Sequence, residues 1–182
     1  DNIARYGGNM LPFGDSYNSS NSPVFHYPYS QTKETLKRLA GSGEVDERHG
    51  IKLEYINPTT GGSVMPTIAT YMQLLPGGFT GQTYQTTAAW VYHCVEGAGR
   101  TMINGHELSW KAKDTFVVPA WYQHEHQVEE DCYLFSFTDQ PVQKKLGLFR
   151  TTLENKKQIP IDFLDLIYMF ERIAQSWGDL GD

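Results

Sequence analysis

The sequence predicts a mainly β domain, a sandwich or small barrel of short antiparallel strands, with a short helix ahead of it and an amphipathic helix behind. Three observations predict it. Alternating or apolar runs follow one another from Ile51 to Phe137, separated by Gly, Pro, Asn and Asp. One pair of runs flanks Asn104-Gly105, the dipeptide that supplies two positive-φ residues to a tight hairpin turn. On either side of this stretch the apolar period changes from 2 to 3.6.

Taken in order, residues 1–29 are rich in Asn, Ser, Gly, Pro and Tyr and hold no sustained period. They read as an arm that lies against a surface, because SPVFHYPY is too aromatic for a solvated tail. In SQTKETLKRLAGSG, Ser30 or Thr32 is the cap candidate, Leu36, Leu39 and Ala40 form the apolar stripe, and Gly41 is the stop. The strand runs are IKLEYIN, TIATYMQLLP, WVYHCVE, RTMI, HELSW, TFVVP, QHEHQV and CYLFSF. Past Pro160, Phe163, Ile167, Phe170, Ala174 and Trp177 share one helical face while Asp165, Glu171 and Arg172 lie off it. The expected organisation is an arm and helix over 1–50, a barrel over 51–150 and an extension over 151–182.

At 182 residues and 40% hydrophobic composition the chain can bury one sizeable core, so one domain with extensions is expected. A net charge of −6 argues against a nucleic-acid partner. No apolar run approaches the roughly 20 residues that span a bilayer, and no basic-then-apolar leader opens the sequence, so no membrane role is expected. Cys94 and Cys132 both fall in strand runs, where a free cysteine behaves as a small buried hydrophobe, and a reducing cytoplasm is expected.

The stretch from Gly78 to Gly97, GFTGQTYQTTAAWVYHCVEG, resembles the first motif of the cupin barrel, a double-stranded β-helix or jelly roll. That motif runs Gly, five residues, His-x-His, three or four residues, Glu, six residues, Gly. Both glycines are in register, but Tyr84 and Thr86 stand at the histidines and Trp90 at the glutamate. In the second motif Pro119 and His124 hold their places, while Lys113, Trp121 and Val128 replace Gly, Gly and Asn. Side chains two apart on a strand point the same way, so Tyr84 and Thr86 are expected to share the interior, where neither is a good ligand for Fe(II) or Zn(II). His126 shares the parity of His124, which makes these two the weak metal candidates, without a third ligand. His93 is off the inward parity. No catalytic residue is assigned, and the expected pocket lining is Tyr84, Thr86, Trp90, Tyr92, Trp121, Gln123 and His124.

Longer phrases are more specific: ARYGGNMLPFG, SPVFHYPYSQTKETL, YINPTTGGSVMPTIATYMQLLPGGF, VEGAGRT, DTFVVPAWYQHEH and LFSFTDQPVQKKLGLFR. From about Ala4 to Arg150 they resemble the C-terminal half of the gentisate 1,2-dioxygenase family, which includes the salicylate and 1-hydroxy-2-naphthoate dioxygenases. The resemblance implies a bicupin, oligomeric Fe(II) enzyme that opens the ring of a small aromatic carboxylic acid with O₂. It places the iron histidines in an N-terminal cupin, a partner barrel with no counterpart in this chain, so that this half has no cofactor of its own and is structural rather than catalytic. Two alternatives stand beside it: a self-sufficient metalloenzyme built on His124 with His126 or His93, and a module that binds a small aromatic acid without turning it over.

Overall fold

The computed structural model describes residues 26–43, 45–58 and 60–152. The arm before His26, Phe25 included, and the amphipathic stretch past Pro160 lie outside the described residues.

Helix α1, Tyr29–Gly41, opens the described chain. Its N-cap is Pro28 and no side chain caps it, so the expected caps Ser30 and Thr32 are already inside the helix. A proline at the boundary is as effective a start: its fixed φ of −60° precedes the first turn, and its carbonyl accepts the N–H of Gln31 and of Thr32. The stop falls at Gly41, where the N–H groups of Ser42 and Gly43 close on Leu39 and Ala40.

Ten strands follow: β1 Ile51–Glu54, β2 Ala69–Leu75, β3 Gln85–Thr86, β4 Trp90–Glu96, β5 Ala98–Ile103, β6 His106–Lys111, β7 Thr115–Val118, β8 His124–Gln127, β9 Cys132–Thr138 and β10 Thr151–Thr152. A short helix, α2 Gln140–Lys145, links the last two. All eight runs read from the sequence form strands. The short pair β3 and β10 and helix α2 were not foreseen, because two-residue strands and a six-residue helix are too brief to show a period.

The largest sheet has the order β1-β2-β9-β4-β7, a second β6-β5-β8, the short β3 and β10 form a third, and all these pairings are antiparallel. Isolated bridges from Thr80 to Gln127 and from Tyr84 to His124 carry the segment before β3 along the edge of β8. The hairpin between β5 and β6 turns at Asn104 and Gly105, with φ of 50° and 84° as its dipeptide requires. Between the sheets Leu75, Trp90, Tyr92, Phe116 and Leu134 meet Trp110 and Val128. A second apolar cluster lies on the other face of the larger sheet, where Leu36 of α1 packs on Ile51, Met72, Leu74 and Tyr133. The larger sheet is therefore apolar on both faces at this end.

Candidate functional site

The pairing register decides which side chains enter the barrel. On β4 the alternation turns Trp90, Tyr92 and Cys94 inward and leaves Val91, His93 and Val95 on the outer side. His93 accordingly bonds across the outer face, Nδ1 to Thr115 Oγ1 at 2.8 Å. The backbone bridge between Tyr84 and His124 sets Tyr84 against the second motif, and their ring centroids are 4.1 Å apart.

Several interior polar groups are tied to one another. Tyr84 Oη lies 3.0 Å from Tyr92 Oη, which lies 3.3 Å from His124 Nε2, while His124 Nδ1 faces the Tyr122 carbonyl at 3.4 Å. Thr86 Oγ1 accepts the indole N–H of Trp90 at 3.2 Å and donates to the Ala88 carbonyl at 3.1 Å. Deeper in, Trp110 donates its indole N–H to Thr101 Oγ1, and that hydroxyl lies 2.8 Å from His126 Nδ1. Burial keeps both imidazoles neutral: His124 is lowered to about 3, and His126 is pushed well below its usual range, with the His124 charge adding to the effect. Burial likewise raises the phenols of Tyr84 and Tyr92.

Solved structures of one enzyme overlay this arrangement. Salicylate 1,2-dioxygenase of Pseudoaminobacter salicylatoxidans, determined with gentisate, superposes with a TM-score of 0.73 at 30% identity, over 85% of this chain and 44% of that one. The relative named gentisate 1,2 dioxygenase 1, from Aquipseudomonas alcaligenes, is 47% identical over 150 residues, covering 82% of this chain and 43% of the relative. The chain is homologous to the gentisate 1,2-dioxygenase family. A 5-aminosalicylate 1,2-dioxygenase of Comamonas is 38% identical over 145 residues, covering 79% of this chain and 39% of the relative. The chain thus spans about two fifths of the length of the curated relatives it matches. No protein-family model matches it. The fold is the cupin barrel of these dioxygenases.

Iron is the metal that the resemblance to this family brings to mind, and the donor set here does not fit it. At the three ligand positions of the first cupin motif, Tyr84, Thr86 and Trp90 spend their polar atoms on each other and on Tyr92 and Ala88. His124 has both ring nitrogens engaged, Nε2 by Tyr92 and Nδ1 by the Tyr122 carbonyl, while His126 has Nδ1 engaged by Thr101 and a buried Nε2 with no hydrogen-bond partner among the described residues, a single imidazole nitrogen with no further ligand gathered beside it. Among the described residues no three His, Cys, Asp or Glu side chains converge as a metal site.

Of the residues predicted to line a pocket, Tyr84, Thr86, Trp90, Tyr92 and His124 come together. Trp121 and Gln123 do not. Trp121 is 43% exposed and Gln123 is exposed, because the Pro119 turn swings outward before β8 begins at His124. The motif's glycines explain the backbone there. Lys113 and Trp121, which stand at two glycine positions of the second motif, have φ of 79° and 66°, a left-handed conformation that glycine adopts without strain.

Sequence reasoning missed Arg48, His49 and Lys52. Lys52 alternates with Ile51 and Leu53, whose side chains pack toward α1, so its own side chain points into the barrel. Its Nζ stands 4.0 Å from the centroid of the Trp90 ring and 5.1 Å from that of Tyr71. Burial pushes the amine down to about 7, with the Asp46 charge opposing. His49, edge-on to Tyr84 at 4.6 Å, is lowered to about 3 by burial and then by the Lys52 charge. The signal was the charged step inside an apolar strand, IKLE, which reads by habit as charge facing outward.

Proposed function

We propose that this chain is the C-terminal cupin half of a gentisate- or salicylate-type ring-cleaving dioxygenase, and that it is a structural barrel. In this reading Fe(II) and the oxygen chemistry belong to a partner barrel, and the small aromatic carboxylic acid is opened there. The observation that carries the reading is that two hydrogen-bonded sets, Tyr84 with Tyr92 and His124, and Thr86 with Trp90 and the Ala88 carbonyl, stand at the position where a cupin holds its metal. An arm and helix over 1–50 and an extension over 151–182 flank a barrel over 51–150.

The outer face of the larger sheet supports a partner. Val91 of β4 lies between Val117 of β7 and Phe137 of β9, and the two flanking residues are 54% and 39% exposed. Exposed apolar side chains in one row are the usual mark of a surface that another domain or subunit covers. Tyr27 and Tyr29 of the arm lie on their own barrel instead: Tyr27 donates to the Ile56 carbonyl at 2.6 Å, and Tyr29 to Glu96 at 2.9 Å. Among the described residues no helix is long and apolar enough to cross a membrane, and Cys94 and Cys132 are buried free thiols, in keeping with a cytoplasmic protein.

The test is iron content and gentisate-dependent oxygen uptake of the purified chain, alone and co-expressed with the part of the Aquipseudomonas relative that this chain does not cover. The expected result is neither iron nor turnover alone, and both in the pair. About one iron per chain, lost in His124→Ala, would sink the proposal in favour of a self-sufficient metalloenzyme.

A further inference from the structure

Cys94 and Cys132 are the two cysteines of the chain, both free and buried in the interior, and the structural role uses neither. In an unbroken ladder they would not meet. Cys94 of β4 lies opposite Leu134 of β9, which would make Cys132 its diagonal neighbour, and such pairs stand about 7 Å apart. The register shifts here, however: Glu96 comes opposite Tyr133, and Val95 is the extra residue of a β-bulge. The two sulfurs are consequently 3.9 Å apart, close to van der Waals contact. Gly97, just past the bulge, reflects the same crowding, since a Cβ there would stand 3.2 Å from Cys132 Cβ.

A disulfide brings its sulfurs to about 2 Å. The remaining closure of about 2 Å can be shared between two side-chain rotations and a backbone already off the regular ladder. Little is given up in the process. Cys132 Sγ donates to the Glu96 carbonyl at 3.1 Å and Cys94 Sγ to the Gly97 carbonyl at 3.4 Å, and thiol-to-carbonyl bonds are weak. Among the described residues no third His, Cys, Asp or Glu joins the pair, so a metal would lack ligands there.

We propose that Cys94 and Cys132 are an oxidative modification site, a thiol pair that hydrogen peroxide closes to a disulfide fastening β4 to β9. Cys94 sulfur attacks one peroxide oxygen, the O–O bond breaks, and the departing hydroxide leaves as water with the Cys94 proton. Cys132 sulfur then attacks the Cys94 sulfenic acid and displaces its hydroxyl, which leaves as a second water with the Cys132 proton. Two thiols thus lose two electrons and two protons, and one peroxide becomes two waters. Burial raises both thiols, Cys132 the further, so Cys94 reacts first and the reaction is slow. Such a pair records sustained oxidation rather than a brief pulse. The bulge also carries Glu96, whose carboxylate accepts from Tyr29 Oη at 2.9 Å and from Lys33 Nζ at 2.5 Å, so the bond fixes the strand segment that anchors α1.

Overnight treatment of the reduced, desalted chain with hydrogen peroxide at pH 8 tests this. The monomer's intact mass should fall by two hydrogens, and no thiol should titrate in denaturant. Cys94 and Cys132 are 38 positions apart, and a cross-link over that length restricts mainly the unfolded chain, so the melting temperature should rise by roughly 10 °C. Dithiothreitol should reverse all three changes. Cys94→Ala and Cys132→Ala should gain oxygen on the remaining sulfur without that rise. Two titratable thiols after treatment, a disulfide between copies, or a bond formed with no rise in melting temperature overturns the proposal. If neither variant folds, the mass and melting of the parent decide alone.

Discussion

Lys52 makes the sharpest stability prediction. Replacing it with methionine keeps the length of the side chain and removes a buried amine. Burial that lowers the amine from 10.5 to about 7 corresponds to roughly 4 kcal/mol against the folded state at pH 7. The ring of Trp90 at 4.0 Å offsets part of this, since a desolvated cation over an indole is worth about 2 kcal/mol. Lys52→Met should therefore stabilise the chain by about 2 to 3 kcal/mol at pH 7, which for a chain of this length raises the melting temperature by roughly 5 to 10 °C. The pH dependence gives the check. With a depressed amine the unfolded chain holds more protons, so the penalty is full below pH 7 and fades as pH rises toward 10.5. Between pH 7 and 9 the parent should recover roughly 2 kcal/mol, and its gap to the variant should nearly close. Thermal melts of both proteins by circular dichroism at pH 7, 8 and 9 measure this. A variant that melts below the parent at pH 7, or a gap that does not narrow by pH 9, would refute the reasoning.

Acid should unfold the chain early. His49 and His124 are both held at about 3, so below pH 6.5 the unfolded chain takes up protons that the folded one refuses, at roughly 2 kcal/mol per histidine by pH 5; a melting temperature unchanged from pH 7.5 to pH 5 would contradict this. Lys113→Gly removes a left-handed strain from an exposed position and should stabilise by about 1 kcal/mol, read from the denaturant midpoint. Gly97→Ala should do the reverse, by about 2 kcal/mol or more, because φ there is 90° and an added Cβ would stand 2.9 Å from the Asp131 carbonyl oxygen. Burial raises the thiols of both Cys94 and Cys132, so iodoacetamide at pH 8 should label them only as fast as the chain unfolds.

The strands, their turns and the spacing of the cupin motifs are local properties, and the residues show them directly. Alternation within IKLE, TIATYMQLL and WVYHCVE says which side chains share a face, and Asn104-Gly105 says where a hairpin must turn. The glycines at 78 and 97, both at positive φ, mark the ends of the first motif for the same local reason. Alternation does not say which face is the interior. In β4 the barrel takes Trp90 and Tyr92, as their aromatic size suggests. In β1 the apolar pair Ile51 and Leu53 is claimed by α1, a helix packed on the outside of the sheet, and Lys52 is left to the interior. That choice depends on which apolar surface the rest of the chain covers, a contact between segments distant in sequence. The outward swing of Trp121, the pairing of Thr86 with Thr151, and the gathering of Arg48, His49 and Lys52 around one cavity were decided in the same way, by packing.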